Sequence, residues 1–91
     1  MDWQRLPPLA SLRAFEAAAR LRGLTAAARE LNVTHAAIAQ QVRALEAHTG
    51  LTLPRREGRG LGLTGDGERL SAALTDGFGR IADALDALSE E

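Results

Sequence analysis

The stretch that decides the fold is Thr25–Glu46, TAAARELNVTHAAIAQQVRALE. Two short helical patterns flank a break at Asn32-Val33. Ala27, Ala28 and Leu31 form the inner face of the first. Ile38, Val42 and Leu45, at i, i+4 and i+7, form that of the second. Asn32 tolerates the left-handed conformation that ends a helix. Val33 is expected to plug the turn, and Thr34 to cap the next helix. Two such helices around a tight break spell a helix-turn-helix, whose second helix ordinarily enters DNA.

Outward from this core, Leu6-Pro7-Pro8 is an extended entry to a helix over about 9–22 that ends at Gly23. Thr25 is expected to cap the second helix. The third runs from about Thr34 to His48 and stops at Gly50. Leu51-Thr52-Leu53 and Leu61-Gly62-Leu63 flank a Gly- and Arg-rich tip over 54–60, which predicts a two-stranded wing. Thr64 is expected to cap a long final helix, with Asp66 and Glu68 in its first turn where the helix dipole favours acids. Leu70, Leu74, Phe78, Ile81, Leu85 and Leu88 recur at intervals of 4, 4, 3, 4 and 3, a near-heptad stripe that predicts a dimer interface. The expected fold is mainly α: a winged helix-turn-helix of three helices and a two-stranded wing over 1–63, then a linker and dimerisation helix over 64–91.

Ninety-one residues make one small domain, with a core that gains from burial against a partner. The net charge of −1 conceals a division. Residues 1–63 hold nine Arg against five acids, and residues 64–91 hold two Arg against seven acids. A basic head is thus joined to an acidic tail. The chain has no Lys and no Cys, so neither a disulfide framework nor a thiolate site is available. No signal-peptide pattern opens it and no apolar run suits a bilayer span; a cytoplasmic, nucleoid-associated location is expected.

Little supports catalysis. His35 and His48 stand 13 residues apart on one expected helix, roughly 20 Å by helical rise, too far to share a metal. HExxH, GxSxG and a phosphate-binding Gly loop are absent, and the glycines at 58, 60, 62, 65 and 67 lack a βαβ setting. No enzyme activity, cofactor, catalytic residue or metal site is expected.

DNA binding fits the residues better. His35, Ala36, Ala39 and Gln40 lie near the start of the third helix, where base edges are met. Gln40 can pair with adenine, and Ala36 or Ala39 can touch a thymine methyl. Arg43, one turn on, suits a phosphate. Thr25 and Thr34 stand at helix starts whose N–H groups attract phosphates. Arg55, Arg56 and Arg59 of the wing can reach phosphate or a narrow minor groove. Plainer roles stay open: the threonines as caps alone, His35 as a solvated residue, Arg43 paired with Glu46, the wing arginines as a solvated loop, and His48 as a partner of the helix dipole.

The run LASLRAFEAAARLRGLTAAARELNVTHAAIAQQVRALEAHTGLTLPRREGRGLGLT resembles the N-terminal DNA-binding domain of LysR-type transcriptional regulators. LRAFEAAAR, the LNVTHxAIxxxVxxLE core and the LxLT wing exit point to the branch of the glycine-cleavage activator and the β-lactamase regulator. The resemblance covers about residues 6–90. It implies a dimer whose linker helices pack antiparallel and present two recognition helices to an inverted-repeat promoter site. It places Thr34, His35, Ala36, Ala39, Gln40 and Arg43 on the recognition helix, Thr25 at the phosphate-side start of the second helix, and Arg56 and Arg59 in the wing. Two residues depart from the pattern. Ala39 stands where Ser is common, and Pro54 replaces the Phe that normally follows Leu53, which implies a looser or differently aimed wing. The family continues into a periplasmic-binding-protein-like domain that takes a small-molecule effector, and this chain stops where the hinge to it is expected. It reads as an excised piece of a regulator or a naturally short protein. The rival expectation is an interaction module that heterodimerises with a full-length regulator and antagonises it.

Overall fold

A helix with a broad apolar face has to bury that face inside the fold. The first helix, α1 (Leu9–Leu21), does so: six consecutive residues, from Ala14 to Ala19, are buried. The computed structural model, which describes residues 1–90, encloses α1 between α2 (Leu24–Leu31), α3 (His35–Thr49) and α4 (Gly65–Ser89). Small alanines let neighbouring helices approach closely, and Phe15, Ile38, Leu45 and Leu53 fill the centre. A 3-10 turn (Trp3–Arg5) precedes α1, and two strands, β1 (Pro54–Glu57) and β2 (Gly60–Leu63), lie between α3 and α4. Glu91, the last residue of the expected linker segment, lies outside the described residues.

The turn chemistry follows the sequence closely. Asn32 is left-handed (φ 57°) and ends α2; Thr34 Oγ1 accepts the Ala37 N–H at 3.0 Å and starts α3. Gly50 ends α3 with φ 72°, and Thr64 Oγ1 accepts the Gly67 N–H at 3.0 Å to start α4. Three details differ. The left-handed residue ending α1 is Arg22 (φ 58°), one position before the expected Gly23. Gly23, not Thr25, is the N-cap of α2, because Leu24 already packs on the core as the first helical residue. Val33 does not plug the turn: it is exposed.

The wing is displaced from its expected place. Leu51-Thr52-Leu53 is not a strand; the Leu53 N–H is taken by the Glu46 carboxylate at 2.9 Å. Pairing begins at Pro54, with register Pro54↔Leu63, Arg55↔Gly62, Arg56↔Leu61 and Glu57↔Gly60. Gly58 and Arg59 make the two-residue turn, and Gly58 takes the positive φ (58°) that glycine adopts without strain. The Pro54 ring takes its place at the end of the strand, where a missing N–H is tolerated.

The apolar stripe of α4 divides. Leu70 and Leu74 pack against the core formed by α1–α3 and the wing while remaining only partly buried. Phe78 is half-buried, while Ile81, Leu85 and Leu88 remain 60%, 59% and 66% exposed. Two devices fasten the start of α4 to the head. A Cβ on Gly67 would overlap the Leu53 carbonyl oxygen, so the helix crosses that backbone at glycine distance. One turn past Leu70, Thr75 Oγ1 donates to Glu16 Oε2 at 2.8 Å. Glu16, buried on α1, also accepts from Arg20 at 2.8 and 3.1 Å, and Arg20 continues to Glu30 of α2. Every buried polar side chain among the described residues has a partner.

Candidate nucleic-acid interface

A rod narrow enough for the major groove must show side chains that are not otherwise occupied. On α3, Ile38, Val42 and Leu45 turn inward, and Ser11 of α1 holds Gln41 through a 2.8 Å hydrogen bond. The opposite face carries His35, Ala36, Gln40 and Arg43, all exposed. Thr34 spends its hydroxyl oxygen as the cap acceptor, yet remains exposed and keeps its O–H to donate. The pairing of Arg43 with Glu46 does not form: the Glu46 carboxylate reaches to Leu53, and Arg43 makes no ion pair among the described residues. Ala39 is half-buried rather than fully on the reading face. It lines a cavity of about 160 Å³ with Phe15, Leu24, Val42, Pro54 and Leu61. That cavity lies beside Pro54, where the family pattern has an aromatic ring.

The pleat of the wing separates its arginines. Side chains alternate along a strand, so Arg55 and Glu57 share one face, and a Cβ on Gly62 would touch both. Arg55 thus lies with Glu57, Glu68 and Arg22, away from α3. Arg56 takes the other face. With Arg59 of the turn it borders a cleft of about 420 Å³ that also holds Thr25, His35 and Arg22. The structure therefore brings Arg56 and Arg59 to the start of α3 and leaves Arg55 out. Thr25 is exposed in the first turn of α2, whose N-cap Gly23 has no side chain to satisfy the free N–H groups. Arg22 also lines this cleft, although its place in the helical period of α1 says nothing of the wing beside it.

Electrostatics at the head reinforce this division. The Arg20 guanidinium, bonded to Glu16 and Glu30, lowers both carboxylates from their usual value, and they in turn raise Arg20. These charges are internally paired. The cations beside α3 are not: Arg43, Arg56 and Arg59 have no carboxylate within 4.0 Å among the described residues. No group of three or more metal-binding side chains occurs among the described residues, and no described helix is long and apolar enough to cross a membrane.

A groove-width helix with an open N-terminal face, flanked by a cationic wing, defines a winged helix-turn-helix DNA-binding domain. Residues 9–68 match the bacterial regulatory helix-turn-helix protein, lysR family, and the chain belongs to that family. It is 58% identical over 88 residues to the AhcY transcriptional activator HvrB of Rhodobacter capsulatus, covering 97% of this chain and 30% of HvrB. It is 61% identical over 82 residues to the HTH-type transcriptional activator AmpR of Yersinia enterocolitica, covering 90% of this chain and 28% of AmpR. The fold matches the crystal structure of the CbnR DNA-binding domain in complex with DNA at a TM-score of 0.71 and 32% identity, over 90% of this chain and 98% of that one. The chain spans about 30% of the length of the curated relatives it matches. These relatives are transcriptional activators, not enzymes.

Proposed function

We propose that this chain is the sequence-reading head of a bacterial LysR-type regulator, and that it binds an inverted-repeat promoter site as a homodimer in the cytoplasm. The observation that carries this reading is the unoccupied face of α3. His35, Ala36 and Gln40 are exposed near its start, with Arg43 one turn on and Arg56 and Arg59 across the cleft. His35 and Gln40 read base edges, helped by the Ala36 methyl. Thr25, Thr34, Arg43, Arg56 and Arg59 hold phosphates and set the register. Ala39 contributes only its outer edge, and Arg55 acts at longer range.

Residues 1–63 form the head, and 64–91 link and dimerise it, although the first turns of α4 also complete the head's core. The support for a dimer is the apolar surface left on the distal half of α4. Ile81, Leu85 and Leu88 extend the near-heptad stripe past the core, and Phe78 and Ile81 border a groove with Trp3, Leu6, Leu9 and Leu12. An effector acts only through a further domain of the kind LysR-type regulators carry.

Selection from a random duplex library, followed by footprinting, tests the reading. The expected result is an enriched inverted repeat whose affinity falls steeply with salt. Equal affinity for enriched and scrambled duplexes refutes sequence-specific reading.

A further inference from the structure

We infer that Arg22 is a further DNA-backbone contact of this head, and that Glu68 holds it in reserve when DNA is absent. The inference rests on the DNA-binding reading above and adds a residue and a control to it.

The backbone at Arg22 is the first observation. Arg22 is one of two non-glycine residues with positive φ among the described residues, a conformation that a side chain with a Cβ disfavours. Asn32, the other, is a residue type that tolerates it. Arg22 takes this position although Gly23 stands next to it. The left-handed turn directs the chain so that Arg22 borders the wing, where its carbonyl lies beside Gly60.

Its surroundings are the second observation. The Arg22 side chain is 56% exposed and lines clefts on both sides of the wing. The cleft toward α3 is bordered by Arg22, His35, Arg56 and Arg59, with no acid among its lining residues. Three guanidiniums around one opening repel each other unless an anion lies between them. A duplex that receives the start of α3 must pass its backbone beside His35 and the wing, so a phosphodiester is the anion that fits. The planar Arg fork suits that oxygen geometry.

The third observation is Glu68. Its Oε1 lies 3.9 Å from an Arg22 nitrogen, at the outer limit of an ion pair, and both side chains are more than half exposed. Such a pair is weak and easily exchanged. Glu68 therefore holds the guanidinium over the wing's mixed face, and a phosphate on the other face competes for it. Affinity for DNA is lowered by the strength of that pair.

The test is fluorescence anisotropy with the duplex enriched by the full chain, across a potassium chloride series. The variants are Arg22→Asn, Arg22→Gly, Glu68→Gln and Arg22→Asn with Glu68→Gln. Asn and Gly both accept the left-handed backbone, so α1 still ends correctly, and circular dichroism melts verify it. Removing Arg22 should reduce the slope of log K against log salt by about 0.9 for each protomer bound, with the preferred sequence unchanged. Glu68→Gln should tighten binding by about 1.5- to 5-fold. In the Arg22→Asn background that gain should vanish. Unaltered slope and affinity in both Arg22 variants would overturn the contact. An equal gain from Glu68→Gln with and without Arg22 overturns the reserve, since it reports general charge alone. If the wild-type chain enriches no duplex, the DNA-binding reading itself fails.

Discussion

The Glu46 carboxylate accepts the Leu53 backbone N–H at 2.9 Å, so the last turns of α3 hold the root of the wing. This bond ties together the two parts expected to grip DNA, and Arg43 makes no ion pair with Glu46. Glu46→Ala should cost about 1.5–3 kcal/mol, the worth of a hydrogen bond to a charged acceptor. Glu46→Gln keeps an amide oxygen within reach of Leu53 and should lose about 1 kcal/mol. Chemical denaturation of the three proteins checks the order. Equal losses in both variants would mean that the charge, and not the bond, matters.

Pro54 borders the cavity of about 160 Å³ between α3 and the wing. Pro54→Phe should fill part of it. The pocket is open to solvent on one side, so the gain is apolar burial alone: about two methylene equivalents, or roughly 1.6 kcal/mol. Losing the restriction that proline places on the unfolded chain offsets about 0.4–1 kcal/mol of this. A net gain near 1 kcal/mol should raise the melting temperature by about 4–8 °C. A lower melting temperature would show that the ring cannot enter and that the wing is seated around proline.

Glu16 gives the fold an acid-sensitive joint. The Arg20 guanidinium lowers its pKa from 4.5 against the opposing effect of burial, and the Thr75 hydroxyl assists. The unfolded chain therefore holds a proton on this group at pH values where the folded chain does not. Stability from Glu16 is fully present above the unfolded value and is lost as pH falls through the folded one. Glu16→Gln should flatten the decline in melting temperature below about pH 4.5 and lower stability at neutral pH. A variant with the same acid slope as wild type would assign the decline to other carboxylates.

Local signals were legible in the sequence and tertiary ones were not. Thr34, Asn32 and Thr64 declare helix ends through their own side chains and backbone, and Ile38, Val42 and Leu45 declare a buried face through spacing alone. The wing misled for a physical reason. Leu51 to Leu53 look like a strand by composition, but the Leu53 N–H goes to the Glu46 carboxylate and only its carbonyl bonds across, to the Thr64 N–H. The strand then starts at Pro54, and that phase decides which face each arginine occupies. Arg56 meets His35 across a cleft, and Arg55 does not. The link from Glu16 to Thr75 spans 59 residues, beyond any local pattern. Only its Arg20 partner, at i+4, had a signal to find.

The stripe of α4 has the same limit. Periodicity shows which face of a helix is apolar, not what covers it. Leu70 and Leu74 pack partly against the chain's own core, so Leu74→Glu should destabilise the head itself. Leu85 is free of that core. Leu85→Glu should leave the far-ultraviolet dichroism of a folded head, shift sedimentation from dimer to monomer, and weaken binding to an inverted repeat far more than to a single half-site. Half-site binding should survive because His35, Gln40 and Arg43 lie on α3, remote from Leu85 in the chain. Ile81→Glu should act likewise and also open the groove beside Trp3 and Leu6. A wild-type chain that sediments as a monomer at high concentration, or a Leu85→Glu variant that stays dimeric, would remove the distal stripe as the joint between two heads.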